Sequence, residues 1–266
     1  MRELEENRIL ARYRIYIKVP NMLKITKHIL PNKLKRLISN YKTQITNFKI
    51  LAIDYAQFKT IKNGFCVDKI DNPVPWYTYP TIEFLQHIDF SNCSIFEFGS
   101  GYSTLFWLER AKKVVSIEHN KEYYKRIKET IEQRLRHKKN YTYLFFEEKE
   151  EYTMAINLFN EIFDVIIIDG MWRSACTKRV IDYINRYGGK MLIFDNSDWS
   201  PKTINFLRQK LDWIEVDFHG FGPINGYTWT TSIFLAESLT YKYNKNLSSI
   251  GCLEYIENED DLYREI

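Results

Sequence analysis

What this sequence lacks narrows it before anything it contains does. Its four cysteines, Cys66, Cys93, Cys176 and Cys252, stand far apart with no Cys-x-x-Cys pair. That spacing argues against both a thiolate metal centre and a disulfide scaffold. Cys93 and Cys176 adjoin apolar segments and are expected as buried thiols. No apolar run is long enough to cross a bilayer. The first residues are charged from Arg2 onward, with no signal-peptide core. The expected location is therefore the cytoplasm, with contact at the inner face of the membrane as an additional possibility. No internal repeat is visible, and no Gly-Lys-Ser/Thr follows a glycine loop, so a P-loop is excluded.

Charge is the next signal. Among residues 1–64 there are fourteen Lys and Arg against Glu3, Glu5, Glu6 and Asp54, a net of +10 (14 minus 4), while the whole chain is only +4. The remainder is therefore −6. A basic arm on a mildly acidic body predicts an anionic partner such as a membrane surface, a nucleic acid or a polyanionic glycan. Pro20 and Pro31 bracket a short helix expected over Asn21–Leu30. From Asn32 the apolar residues Leu34, Leu37, Ile38, Tyr41, Ile45, Phe48 and Leu51 recur at helical spacing, with Lys33, Lys35, Arg36, Lys42 and Lys49 off that face. Such a stripe suits an anionic lipid surface, packing on its own domain, or a sister subunit in a homo-oligomer.

Turn chemistry over 60–80 (Asn63-Gly64, Asp71-Asn72-Pro73, Pro75-Trp76) marks the end of the extension. The expected organisation is a basic helical extension over 1–75, a main domain over 76–240 and an acidic tail over 241–266. A helix is expected over Thr81–Ile88, opened by Pro80. From Ser94 strands and helices alternate. Strands are expected at 94–98, 113–117, 141–146, 163–168 and 190–195, and helices at 103–111, 120–137, 150–160, 173–187 and 201–210. Trp213–Phe218 and Thr230–Leu235 follow as two strands without a helix between them, which predicts an antiparallel pair. The fold class is α/β: a Rossmann-like, mostly parallel sheet with a helical basic N-terminal extension.

The organising stretch is Ser94-Ile95-Phe96-Glu97-Phe98-Gly99-Ser100-Gly101-Tyr102-Ser103-Thr104, a strand running through a glycine turn into a helix. Ligands of open parallel sheets bind at the carboxyl ends of strands. A dinucleotide fold wants a third glycine where Thr104 stands, and Glu97 ahead of the turn would repel phosphate. Glu97 suits an ammonium group instead. Glu118 ends the next strand, where an acid accepts hydrogen bonds from a ribose diol. Ribose plus a cationic amino-acid end describes S-adenosylmethionine.

Residues 94–118 resemble motif I and the following acidic strand end of class I S-adenosylmethionine-dependent methyltransferases, with the similarity extending over about 80–236. That resemblance implies a seven-stranded sheet closed by the antiparallel pair. It puts Glu97, Gly99, Ser100, Gly101 and Ser103 along the methionine end, Glu118 at the ribose, and His119 and Asn120 near the adenine. Glu147-Glu148 are a further candidate for the adenine amine.

Asp169 ends the fourth strand and Asp195-Asn196 the fifth. Adjacent strands lie about 4.8 Å apart, so two carboxylates and an amide oxygen can converge on a hard cation of the Mg²⁺ type. Such an ion would draw an acceptor hydroxyl toward the methyl group and acidify it. The same Asp and Asp-Asn pattern resembles catechol O-methyltransferases and bacterial sugar O-methyltransferases of the macrocin type, in which the matching positions bind Mg²⁺. One departure concerns the base: those enzymes carry a lysine shortly after the first aspartate, and here Gly170-Met171-Trp172-Arg173 follows. The catalytic base is left among Asp169, His219 and none beyond the metal.

The segment His219–Trp229 is expected as a loop bordering the acceptor, with Trp76, Tyr77, Tyr79, Trp172, Trp199, Tyr227 and Trp229 available to stack on a sugar ring, and Asn225 and Thr228 to read its hydroxyls. Gly220–Leu235 resembles bacterial methyltransferase-like proteins of surface-polysaccharide synthesis. The expected activity is O-methylation of a sugar hydroxyl on a glycan or glycolipid, aided by Mg²⁺. The alternatives are metal-free methylation of a small molecule and a non-catalytic docking module. A nucleic-acid substrate is not expected, since the core is acidic on balance and no Asn-Pro-Pro-Tyr-type segment occurs.

Overall fold

The structure is a computed structural model that describes residues 31–135, 137–242 and 249–251. The helix expected over 21–30, Cys252 and nearly all of the acidic tail lie outside the described residues. The chain divides into two compact units, one ending at Lys49 and one spanning Ile50–Ile266. In the first, α1 (Asn32–Lys49) is an 18-residue helix with no buried residue.

The second unit is built on seven strands: β1 (Ser94–Phe98), β2 (Lys113–Glu118), β3 (Tyr141–Phe145), β4 (Val165–Ile168), β5 (Met191–Asp195), β6 (Ile214–Gly220) and β7 (Trp229–Leu235). Their spatial order is β3-β2-β1-β4-β5-β7-β6. The pairs from β3 through β5 are parallel, and β7 runs antiparallel to both β5 and β6. The chain moves outward from β1 through β2 to β3, then crosses back to lay β4 on the other side of β1. That reversal opens a crevice at the carboxyl ends of β1 and β4, where open α/β sheets place ligands.

The central strands are apolar on both faces because helices cover both. The two-residue period sorts their side chains into two cores. Ile95, Val114, Val165, Ile193 and Ile233 pack on one face with Leu105, Trp107 and Ile127. Phe96, Phe98, Val115, Ile166, Phe194 and Phe234 pack on the other with Val180, Ile184 and Leu207. The covering helices are α2 (Gln57–Asn63), α3 (Tyr79–Gln86), α4 (Tyr102–Arg110), α5 (Lys121–Arg134), α6 (Lys149–Met154), α7 (Arg173–Tyr187) and α8 (Pro201–Lys210). Asn120 caps α5 by accepting a hydrogen bond from the Tyr123 N–H at 2.9 Å, and Pro201 opens α8 where its missing N–H costs nothing.

Several boundaries differ from the expected ones. The helix expected over 150–160 is one α-helical turn and a half followed by a 3₁₀ turn, Ala155–Leu158. Residues 50–75, grouped by their turn chemistry with the extension, belong to the second unit, where Ala56, Cys66, Val67 and Val74 are buried. Tyr55 donates a hydrogen bond to Glu83 there, and the Gln57 amide donates to Gly222 O at 3.0 Å. The expected 219–229 loop is shorter, because β6 runs on through His219 to Gly220.

Candidate functional site

A cleft of about 510 Å³ opens at the crevice between β1 and β4. Of the residues expected at a cofactor, Gly99, Ser100, Gly101, Ser103, Glu118 and His119 line it, and Asp169, Asp195 and Asn196 line its other side. The sheet edge therefore brings both sets into one space. Two expected site residues are placed elsewhere. Glu97 is fully buried beneath the glycine turn, and His219 stands on β6 opposite Thr230, whose hydroxyl lies 2.7 Å from its Nδ1. Thr231 and Trp229 reach Asp195, and strand alternation turns their neighbour Thr230, with its partner His219, to the opposite face.

The side formed by the turn after β1 is built from backbone. Gly99, at φ +92°, has its Cα so close to the β4 end that a Cβ there would come within 2.8 Å of Gly170 Cα. Reciprocally, a Cβ on Gly170 would lie 2.7 Å from Gly99 N and overlap the Tyr152 hydroxyl. A Cβ on Gly101 would sit 2.9 Å from the Tyr123 hydroxyl. The backbone contacts demand glycine at Gly99 and Gly170, while at Gly101 the Tyr123 side chain would have to yield, and peptide groups face the cleft at all three.

Glu97 holds this turn from below. Its Oε2 accepts from the hydroxyls of Thr104 and Ser116, both at 2.6 Å, and the Gly101 N–H donates to Thr104 Oγ1 at 3.1 Å. Its Oε1 is buried without a hydrogen-bond partner among the described residues. Burial pushes the carboxyl up to about 7 against the pull of the surrounding hydroxyls.

Glu118 is held in place on all sides. Its Oε2 accepts from the Ser100 N–H at 3.2 Å and the Ser100 hydroxyl at 2.7 Å, and its Oε1 accepts from the N–H groups of His119 and Asn120 at 2.9 and 2.8 Å. Behind it His119, Tyr152 and Trp172 form an aromatic cluster, with ring centroids 5.5 Å apart for both His119–Trp172 and Tyr152–Trp172. Glu147 and Glu148 are exposed.

The other side is built from side chains and centres on Arg173, the first residue of α7. Its Nε donates to Gly170 O at 3.0 Å, Nη1 to Asp195 O and to Asn196 Oδ1 at 2.7 Å, and Nη2 to Asp169 Oδ1 at 3.1 Å and more distantly to Asp169 O. All five guanidinium N–H groups are thereby committed, and the ends of β4 and β5 are clipped together. Asp195 Oδ1 accepts from the Trp229 indole at 3.0 Å and the Thr231 hydroxyl at 2.6 Å. Asn196 takes up φ +53°, a left-handed turn that asparagine tolerates, and this aims its amide at Arg173.

This arrangement leaves the expected Mg²⁺ few free oxygens. A hard divalent ion needs several free oxygens converging on one point. Here Asp169 Oδ1 and Asn196 Oδ1 are both taken by a guanidinium, which would also repel the ion, and Asp195 Oδ1 is taken by Trp229 and Thr231. No cluster of three His, Cys, Asp or Glu side chains that could hold a metal occurs among the described residues. The strand ends bring these residues together, and Arg173 stands in the gap between them. Burial raises both carboxyl pKa values, that of Asp195 to about 6 and that of Asp169 well above its ordinary range, where the negative charge of Asp195 adds to the effect and Arg173 opposes it.

Arg173 and Gly170 are the residues that sequence reasoning missed. Their signal was present: a glycine directly after the strand-end aspartate, and an arginine four residues after it on the following helix. The expected aromatic border is also divided. Trp199, Tyr227 and Trp76 are exposed at the cleft mouth, Trp229 lies buried against Asp195, Tyr77 and Tyr79 belong to the core, and Trp172 packs behind Glu118 with His119. Cys66 lines the cleft, but burial pushes its thiol up, so it stays protonated.

No protein-family model matches the chain, and no curated protein sequence matches it either. Solved structures do resemble it in fold. A protein of Klebsiella pneumoniae provisionally named an O-methyltransferase is 13% identical over 73% of this chain and 97% of its own, with a TM-score of 0.49. A protein of Streptococcus mutans provisionally named a methyltransferase, solved with S-adenosylhomocysteine, is 16% identical over 56% and 92%, with a TM-score of 0.43. An rRNA methylase of Streptococcus thermophilus is 13% identical over 58% and 93%, also at 0.43.

Proposed function

We propose that this chain is an S-adenosylmethionine-dependent methyltransferase acting on a hydroxyl of a small polar acceptor, a sugar by preference, without a divalent metal. The observation that carries the reading is one cleft at the β1–β4 crevice with a glycine-built wall ending in Glu118 on one side and two raised carboxyls on the other.

The residues fit the cofactor. Gly99 and Gly170 give a cradle in which a Cβ would collide with backbone, and Glu97 lies buried under it with one oxygen unpartnered among the described residues. A carboxylate offers about four lone-pair sites, and Glu118 already uses its own. A ribose diol binding there would take the place of the Ser100 hydroxyl, the one donor of the four that can rotate away. The His119 ring, which lines the cleft, suits a flat heterocycle. When bound, the cofactor supplies a methyl group activated by a sulfonium.

For the chain's own residues the task is placement and proton removal. The acceptor oxygen forms its bond to carbon as the carbon–sulfur bond breaks, and the acceptor's proton leaves to a carboxylate. Asp169 or Asp195 receives it. Raised pKa values make these stronger bases than ordinary aspartates when ionised, and Arg173 holds the Asp169 carboxylate in a fixed direction. Asn225 lines the same cleft, and the exposed Trp76, Trp199 and Tyr227 around it suit a pyranose face.

Calorimetric titration with S-adenosylmethionine tests the first step. Binding that weakens at least about tenfold in Glu118→Ala is expected, and absence of binding by the parent protein would overturn the reading. Electron paramagnetic resonance with Mn²⁺ tests the second. The parent is expected to leave Mn²⁺ free, and stoichiometric binding lost in Asp195→Asn would restore a metal-assisted reaction.

A further inference from the structure

Among the α-helices of the described residues, α1 alone has no buried residue. Leu34, Leu37, Tyr41, Ile45 and Phe48 are all exposed, Tyr41 and Phe48 by about two thirds (64% and 67%). The helix carries five basic residues, Lys33, Lys35, Arg36, Lys42 and Lys49, and no acid. At 3.6 residues per turn the apolar side chains, Ile38 included, fall within an arc of roughly 100°. Lys35, Lys42 and Lys49 recur every seventh residue, so they form one row along an edge of that arc. Lys33 borders the other edge. Ser39, Thr43 and Asn47 stand on the side facing away from the stripe.

We propose that α1 lies in the plane of an anionic membrane surface, with its apolar stripe sunk among the acyl chains and its lysine rows reaching up to lipid phosphates. The pattern selects this occupant. A second copy of the helix would bring five positive charges against five, with no acid to offset them. A nucleic acid would engage the lysines but leave five large apolar side chains in water. A bilayer surface satisfies both, since lysine stems flanking an apolar stripe extend their ammonium groups into the headgroup layer. Among the described residues no helix is long and apolar enough to span a bilayer, so the contact is a lying one. The basic excess continues in residues 1–30, with Arg2, Arg8, Arg12, Arg14, Lys18, Lys24 and Lys27 against three glutamates. The inference does not depend on the methyltransferase reading.

Co-sedimentation of the full chain with vesicles tests it. Binding to phosphatidylcholine vesicles containing about one third phosphatidylglycerol is expected, with far weaker binding to pure phosphatidylcholine. Reversal of the lysine row (Lys35→Glu, Lys42→Glu, Lys49→Glu) should weaken binding by at least about tenfold, since each cation near an anionic surface contributes substantially. Leu37→Ser with Phe48→Ser should do the same while leaving attraction at low salt. These side chains are exposed, so thermal unfolding should be unchanged in both variants, and this separates lost binding from lost fold. Equal sedimentation with neutral and anionic vesicles, or unchanged binding by the row variant, would overturn the proposal. So would a dimer in light scattering that dissociates in the Leu37→Ser, Phe48→Ser variant, which would assign the stripe to a second copy.

Discussion

The two walls of the cleft are made of different material. The β1–β2 wall is backbone: Gly99, Gly101 and the N–H groups that fix Glu118. The β5–β7 wall is side chain: Asp169, Asp195, Asn196, Arg173, Trp229 and Thr231 in one hydrogen-bonded net. A wall of peptide groups is hard to retune by substitution, because an atom added at Gly99 or Gly170 collides with backbone. A wall of side chains can change its chemistry residue by residue while the strands beneath stay put. The contrast teaches that such a fold can keep one ligand constant and vary the other.

The sharpest way to break the comparison is Gly170→Ala, which drives a methyl group into Gly99 N and the Tyr152 hydroxyl. It should destabilise the protein by about 3 kcal/mol or more and abolish cofactor binding, as read by thermal unfolding and titration. A cofactor affinity near that of the parent would show that the glycine wall gives way. Next in size is the pH dependence under that wall. Glu97 titrates at about 7 in the fold against 4.5 unfolded. Between those values the unfolded chain has lost the proton that the folded chain retains, so stability from this group falls as pH rises from 4.5 to 7 and stays low above. Glu97→Gln should remove that loss and be more stable than the parent at pH 8 by up to about 3 kcal/mol, with little difference near pH 4. Denaturant unfolding across pH measures it.

On the other wall, Arg173→Met leaves Asp169 and Asn196 without their donor. Since the pair is partly exposed, about 2 kcal/mol of stability is expected to go, with turnover falling at least about a hundredfold and cofactor affinity changing little. Equal loss of affinity and turnover would mean that the two walls are not separable. Smallest is Trp199→Ala at the exposed mouth. It should raise acceptor KM by about fivefold, equivalent to about 1 kcal/mol of stacking, without touching kcat or cofactor binding.

The sheet was legible in the sequence because its strands carry the information locally. Val165–Ile168 and Met191–Asp195 are apolar runs ended by an acid, and the helix-free link between the last two strands announces an antiparallel pair. Residues that line the cleft were legible for the same reason, since a strand end places its own side chain. What the sequence hid depends on distance in space. Whether Glu97 points into the cleft or under the turn is decided by Ser116, its register partner on β2, and by Thr104 seven residues on. Whether two carboxylates and an amide face a metal or a guanidinium is decided by how α7 starts. His219 seemed to stand in a loop because glycines follow it, and only the pairing of β6 with β7 put it on a strand and turned it outward.

The insertion of β7 between β5 and β6 has a consequence for the order in which the protein becomes competent during synthesis. Asp195 leaves the ribosome thirty-four residues before Trp229 and thirty-six before Thr231. A nascent chain that has emerged only through β6 already holds every strand of the glycine wall, yet β6 has no neighbour to pair with and Asp195 has neither of its partners. The glycine-built half of the cleft can form while the side-chain half waits for a single late strand, which on docking closes the sheet and completes the net in one step.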